Sequence, residues 1–164
     1  MKPFDNKANA DQILEDWDNI CHDLAIKHFL IYGTCLGFYR DGGYIPLDSD
    51  IDVRVMCDKK QWKELIKKLA EVGIIQNDNP AGYAFYRDDI LLCIERSEEV
   101  GTMIHDNGDE WPTLPLYHNL DEVTYKGRVY RTPSPVEEYL EGRYGPDWRT
   151  PNPDWNNKTD AYGY

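Results

Sequence analysis

From Asp50 to Val55 the chain reads Asp-Ile-Asp-Val-Arg-Val, alternating charged and β-branched residues. Successive side chains of a strand point to opposite faces, so Ile51, Val53 and Val55 share one face and Asp50, Asp52 and Arg54 the other. This predicts a strand with an apolar face for a core and a charged face for something else. Just before it, Arg40-Asp41-Gly42-Gly43-Tyr44-Ile45-Pro46 places two glycines and a proline within a few positions, which interrupts any regular element and predicts a loop.

The flanking sequence supplies the partners of such a strand. Ile13, Trp17, Ile20 and Leu24 recur at steps of three and four, predicting a helix from Asn9 to about His28. Phe29-Leu30-Ile31-Tyr32 has the composition of a short buried strand that stops at Gly33, and Gly33-Thr34 is expected to turn into a short helix over Cys35 to Arg40. Asp58 is placed to cap a helix carrying Trp62, Leu65, Ile66 and Leu69 and ended by Gly73. Strands are predicted at Ile74-Ile75, Tyr83 to Tyr86 and Ile90 to Glu95, with turn chemistry at Asp78 to Gly82 and Asp88-Asp89. A polar loop from Glu98 to Pro115 with a short strand at Thr102 to Ile104 follows, then a hairpin at Lys126-Gly127 between Val123-Thr124-Tyr125 and Arg128-Val129-Tyr130. Ser134 as N-cap, Pro135 at the first position and Glu137 three residues on open a last helix that ends near Tyr144-Gly145. The tail from Pro146 is expected to be extended and to pack through Trp148, Trp155, Tyr162 and Tyr164.

Mixed strands and helices over 164 residues make an α/β (α+β) chain, one domain with its core at about 9–145 and the tail at 146–164. Lys and Arg number 18 against 30 Asp and Glu, for a net charge of -12. A field of that sign repels phosphate backbones, which argues against nucleic acid as a partner. Cys21, Cys35, Cys57 and Cys93 form no C-x-x-C pair and are expected to be free thiols in a reducing compartment. The first residues lack a signal-peptide pattern, and the longest apolar runs, Phe29 to Tyr32 and Ile90 to Ile94, are too short to cross a bilayer. The expectation is a soluble, cytoplasmic protein without membrane insertion.

Two carboxylates two apart on a strand face the same way and can hold one or two hard divalent cations through oxygen. Such ions bridge nucleotide phosphates and neutralise charge on a transferring group. A strand ending in Gly33-Thr34 lets backbone amides approach a phosphate. Alone, Asp-x-Asp describes any half-exposed strand; with Gly-Thr at a strand end and the Gly-Gly-Pro loop it describes a phosphate and metal site.

The block GTCLGFYRDGGYIPLDSDIDVRV, residues 33–55, resembles the LicD/fukutin family, a branch of the nucleotidyltransferase fold. Gly33, Thr34, Leu36, Gly37, Arg40, Gly43, Ile45, Pro46, Asp48, Asp50, Ile51 and Asp52 match the family pattern in order, and Tyr139-Leu140 followed by Tyr144-Gly145-Pro146 is similar to its end. The resemblance implies a nucleotidyltransferase-type small mixed β-sheet flanked by helices. It also implies a metal-dependent transferase that moves a phosphorylated group, such as phosphocholine or an alditol phosphate, from a nucleotide diphosphate donor to a glycan or related hydroxyl. By the same resemblance Asp50 and Asp52 bind Mg2+ or Mn2+, Asp48 supports that site, Gly33 and Thr34 contact donor phosphate, and Arg40 is a further phosphate contact. Leu47 stands where the family has Trp and Ser49 where it has Asp, and the later strand carries Cys93 at the position of a third acid, with Glu95 two residues on as the replacement. Arg54 is read as a structural ion pair, His105 and His118 as loop residues, and Trp62, Trp111 and Trp148 as packing. Two other readings accompany this one: a nucleotidyltransferase that leaves a nucleoside monophosphate on a small molecule, glycan or protein, and a non-catalytic nucleotide-binding module.

Overall fold

A computed structural model describes residues 7–46, 48–77, 83–101, 103–106, 109–112 and 115–155, with 105, 106, 109–112 and 115 described by their backbone alone. Leu47, the turn at Asp78 to Gly82, Thr102, Tyr162 and Tyr164 lie outside these residues, as do the side chains of His105, Asp106, Asp109, Glu110 and Trp111.

The elements in order are α1 (Lys7–Asp23), β1 (Lys27–Leu30), α2 (Tyr32–Leu36), β2 (Asp50–Met56), α3 (Lys59–Glu71), β3 (Ile75–Gln76), β4 (Ala84–Arg87), β5 (Ile90–Val100), β6 (Met103–Asp106), β7 (Asp109–Pro112), β8 (Leu120–Tyr125), β9 (Arg128–Pro133) and α4 (Val136–Tyr144). Helix α1 buries Ala10, Ile13, Leu14, Trp17 and Cys21 along one face. It stops at Asp23, short of His28, because Ala25 takes a left-handed backbone (φ 51) that no helix continues through. Asp58 caps α3, as its place in the sequence predicts: its side chain accepts from Gln61 N while the Gln61 side chain accepts from Asp58 N.

The sheet runs β1-β2-β5-β4-β3. Strand β1 is antiparallel to β2, β2 is parallel to β5, and β4 is antiparallel to both β5 and β3, so the sheet is mixed. Beyond β4 the far end of β5 pairs with β6, and β6 with β7. The segment expected to be a polar loop is therefore largely strand. Ile51, Val53 and Val55 are fully buried with Phe29, Leu30, Leu92 and Ile94, so the alternation in β2 does send its β-branched residues to the core. Burial of each such side chain contributes roughly 1.5–3 kcal/mol.

The β8–β9 hairpin forms its own two-stranded sheet beside β1. It supplies Tyr125 and Tyr130 to an aromatic cluster around Phe38, with centroids 4.4 and 5.8 Å from that ring. Helix α4 begins differently from the sequence reading. Pro135, not Ser134, holds the N-cap position, after a cis Ser134–Pro135 bond. The capping carboxylate comes from β8: Asp121 accepts from Val136 N at 2.9 Å and from Ser134 Oγ at 2.8 Å. A proline cap has no side-chain acceptor, so the orphan N–H of the first turn is met by a residue distant in sequence. In the tail, residues 147–150 turn rather than extend, and Trp148 is buried.

Candidate metal and phosphate site

Parallel pairing of β2 with β5 sets Asp50 opposite Leu91, Asp52 opposite Cys93 and Arg54 opposite Glu95. Paired residues of adjacent strands share a face, so Cys93 joins the two aspartates. One ligand atom from each of Asp50, Asp52 and Cys93 lies within 4.8 Å of the others, and Cys93 Sγ stands 3.8 Å from Asp50 Oδ2. Glu95, expected as the third acid, is one side-chain repeat further along and is hydrogen-bonded by Arg54 Nη2. Arg54 also donates from Nη1 to Ser97 Oγ at 2.8 Å and lies 5.2 Å from the centroid of the Tyr117 ring. The third position of the cluster belongs to a thiol.

The junction between β1 and α2 holds this strand in place. Ile31 N donates to Asp52 O at 3.1 Å and Thr34 Oγ1 accepts from Asp52 N at 2.9 Å, so both backbone polar groups of Asp52 are tied to the segment 31–34. Gly33 and Thr34 were expected in a turn; they lie inside α2, because the chain reverses one residue earlier, at Tyr32, in a left-handed conformation (φ 44). For a bulky residue that conformation costs on the order of 1–3 kcal/mol and is kept only where its surroundings impose it. Here Tyr32 N donates to Tyr139 Oη at 3.0 Å from α4, and the Arg143 guanidinium sits 4.5 Å from the Tyr32 ring centroid. Thr34 is fully buried and stands behind the carboxylates as a tie.

Gly33 faces Asp48 and Asp52. A Cβ there would stand 3.1 Å from Asp48 Oδ2 and 3.7 Å from Asp52 Oδ2. Asp48 Oδ1 accepts from Ser49 N at 3.1 Å, while Asp48 Oδ2 is shielded from solvent and receives no hydrogen bond. Burial first, then the charge of Asp50 and the hydrogen bond the two carboxyls can share, push Asp48 up to about 7. Burial likewise raises Asp52 well above the usual carboxylate range, with the charges of Asp50, Asp48 and Glu95 adding to it and a backbone hydrogen bond from Gly33 opposing it. The Cys93 thiol is raised by burial and by Asp52 and Asp50. Carboxylates packed this closely, one with a bare shielded oxygen, are destabilised as anions unless a cation joins them. The donor set fits a divalent ion at Asp50 and Asp52, with Asp48 beside them.

Arg40 is occupied elsewhere. It lies in a π-helical turn, Gly37–Asp41, that continues α2, where its Nε and Nη2 donate to Asp41 at 2.8 Å and its Nη1 donates to Trp148 O at 3.0 Å. His118 is exposed near Glu99, toward the far end of β5. Two residues join the site without a signal in the strand pattern, Tyr32 and Tyr144. The Tyr144 hydroxyl, at the end of α4, is raised by burial and then by the charge of Asp52, with Asp48 contributing. The Tyr144-Gly145 pair at the helix end was the available sequence signal. A separate groove of about 390 Å³, lined by Asp18, His22, His28 and Arg128 among others, lies at the opposite end of β1.

The model of the LicD/FKTN/FKRP nucleotidyltransferase domain matches residues 25–132. Ribitol-5-phosphate transferase FKTN of Mus musculus is 23% identical over 167 residues, covering 93% of this chain; the chain spans 36% of that protein's length. Among solved structures, the lincosamide antibiotic adenylyltransferase LnuA with lincomycin bound superposes with a TM-score of 0.59 at 15% identity, over 85% of this chain and 86% of its own. The antibiotic-resistance factor ANT(2'')-Ia gives 0.58 at 16%, over 90% of this chain and 76% of its own. At these identities the two structures show the fold alone, a mixed sheet flanked by helices of the nucleotidyltransferase type.

Proposed function

The chain belongs to the LicD/FKTN/FKRP nucleotidyltransferase-domain family, and from that premise we propose that it is a metal-dependent transferase of a phosphorylated group from a nucleotide diphosphate donor to a glycan or related hydroxyl acceptor. The observation that carries this reading is the pair Asp50 and Asp52 on one strand face, with the solvent-shielded Asp48 Oδ2 beside them at Gly33. A divalent ion bound there, Mg2+ or Mn2+ in the sequence reading, supplies charge neutralisation for the donor diphosphate. Asp50 and Asp52 hold it from one face of β2, and Asp48 supports it from the incoming loop. The missing Cβ at Gly33 lets the Asp48 and Asp52 carboxylates approach its backbone closely. Thr34 and the Ile31 amide keep Asp52 at its register, so their role is positioning. Glu95 serves through Arg54, whose charge it balances beside the aspartates. The four free thiols suit a reducing, cytoplasmic setting. Among the described residues no helix is long and apolar enough to cross a membrane.

A second reading, nucleotidyl transfer, is favoured by the adenylyltransferase LnuA among the structures of the same fold. The test follows donor cleavage and thermal stabilisation with CDP-linked donors and nucleoside triphosphates, with Mg2+ or Mn2+, in wild type and in Asp50→Asn/Asp52→Asn. Turnover of a CDP-linked donor, lost in the double variant, is the expected result. Turnover of a triphosphate moves the activity to nucleotidyl transfer, and the absence of any metal-linked response to nucleotide leaves a non-catalytic module.

A further inference from the structure

We infer that Cys93 is a ligand of the divalent ion and that it makes this site prefer Zn2+ or Co2+ to Mg2+. The inference rests on the metal reading above and adds to it the identity of the third ligand and its consequence for which ion is held.

The β2–β5 register places Cys93 directly opposite Asp52, so its sulfur shares the face of both aspartates by backbone geometry and not by a chance rotamer. Glu95, the nearest acid on the same strand face, is hydrogen-bonded by Arg54 and lies outside the three-residue cluster. Of the four cysteines, Cys21, Cys35 and Cys57 are buried, whereas Cys93 is partly open.

Distance then distinguishes the kinds of ion. In a tetrahedral site with metal–sulfur and metal–oxygen bonds of roughly 2.3 and 2.1 Å, neighbouring sulfur and oxygen ligands stand about 3.6 Å apart. The separation between Cys93 Sγ and Asp50 Oδ2 is 3.8 Å, so a small change in side-chain rotation brings both to one ion. Three protein ligands with a further position for substrate is the arrangement of a catalytic zinc-type site. Mg2+ instead requires near-octahedral oxygen coordination at about 2.0–2.1 Å, and a thiol in place of a carboxylate removes one of its hard ligands. Thiolate ligands favour Zn2+, and N, O and S sites in general bind Co2+ and Zn2+ more tightly than Mn2+.

The test uses the full chain freed of metal by a chelator. Co2+ is titrated in and the thiolate-to-cobalt charge-transfer band followed, with Zn2+ and Mg2+ as competitors. Wild type is expected to give a band that saturates at one ion per chain, is removed by stoichiometric Zn2+, and survives a hundredfold excess of Mg2+. In Cys93→Ser the band is lost and Zn2+ affinity falls by about tenfold or more. Cys93→Asp is expected to lose the band and bind Mg2+ more tightly than wild type does. A control that needs no variant is alkylation of the wild-type thiols: Zn2+ should slow labelling of Cys93, and Mg2+ should not. Co2+ binding with no thiolate band, displaced equally by Mg2+ and Zn2+, would overturn the inference and leave the all-oxygen metal reading intact. No divalent ion bound by wild type, with or without nucleotide, would overturn both.

Discussion

Substituting Ala for Gly37 should destabilise the protein, while the same change at Gly33, four residues earlier, should not. Gly37 has an ordinary right-handed backbone (φ -63, ψ -44), so Ala brings no conformational strain there. Its Cβ, however, would stand 2.5 Å from Gly43 O and 3.0 Å from Ile45 N and Cγ1. Gly43 cannot simply withdraw, because its N–H donates to Gly37 O at 3.2 Å and holds the two segments together. Overpacking costs about 1–3 kcal/mol. Losing the hydrogen bond adds about 1 kcal/mol. Ala in helical backbone returns roughly 0.5–1 kcal/mol. The net is a loss of about 1–3 kcal/mol. At Gly33 the Cβ meets Asp52 Oδ2 at ordinary contact distance and crowds just the end of the Asp48 side chain, which can swing aside, so stability should stay within about 0.5 kcal/mol of wild type while metal affinity falls. Urea unfolding separates the two, since at an unchanged slope of about 1–3 kcal/mol/M the Gly37 variant should shift its midpoint by about 1 M. A Gly37→Ala protein as stable as wild type, or a Gly33→Ala protein that loses as much as Gly37→Ala, would refute this reasoning.

Three further outcomes are expected. Asp18 is 7% exposed and bonded by His28 Nε2 at 3.0 Å and Arg128 Nη2 at 2.8 Å. Asp18→Asn should cost about 2–3 kcal/mol, less than for a fully buried pair because Arg128 is partly solvated. Burial raises the Asp18 carboxyl, but hydrogen bonds and charges from His28 and Arg128 outweigh it and hold the group below its usual value. Its stabilisation is therefore present above the unfolded carboxylate pKa and lost as pH falls through the lower folded value, and urea titrations across acid pH should show the gap to Asp18→Asn closing. The sign is opposite at Asp48, where the folded value is raised to about 7: the stabilising contribution is present below the unfolded value of 3.8 and lost as pH rises through about 7. In chelator, Asp48→Asn should thus gain stability relative to wild type between about pH 5 and pH 8. Asp121→Ala, which uncaps α4 and frees Ser134, should cost about 1–2 kcal/mol and speed amide exchange in the first turn of α4.

What the sequence made legible is what short-range rules govern. The period-two alternation in β2 and the capping chemistry at Asp58 each depend on neighbours within four residues, and each appears where expected. The LicD-like block located the aspartates for the same reason: its residues are consecutive. What stayed hidden depends on pairing between distant segments. Whether Cys93 or Glu95 stands with Asp52 is decided by the β2–β5 register, which alternation alone leaves open by two residues. The cap of α4 comes from Asp121 across a hairpin, so Ser134 looked like the cap because nothing local said otherwise. Arg40 matched a phosphate contact by position in the pattern, yet it is held by its neighbour Asp41 and by Trp148 O, and the second of these contacts becomes visible only once the tail folds back. The reversal at Tyr32 rather than Gly33 runs against backbone preference and is imposed by Tyr139 from the far end of the chain.

On the proposed function, the carboxylate face of β2 binds a nucleotide diphosphate through a divalent ion. Calorimetric titration of CDP into wild type and into Asp52→Asn, with saturating divalent ion and again in chelator, tests it most directly. Binding to wild type is expected only when the ion is present, with no heat for the variant in either condition. Binding of equal strength in chelator, or undiminished binding by Asp52→Asn, would contradict it.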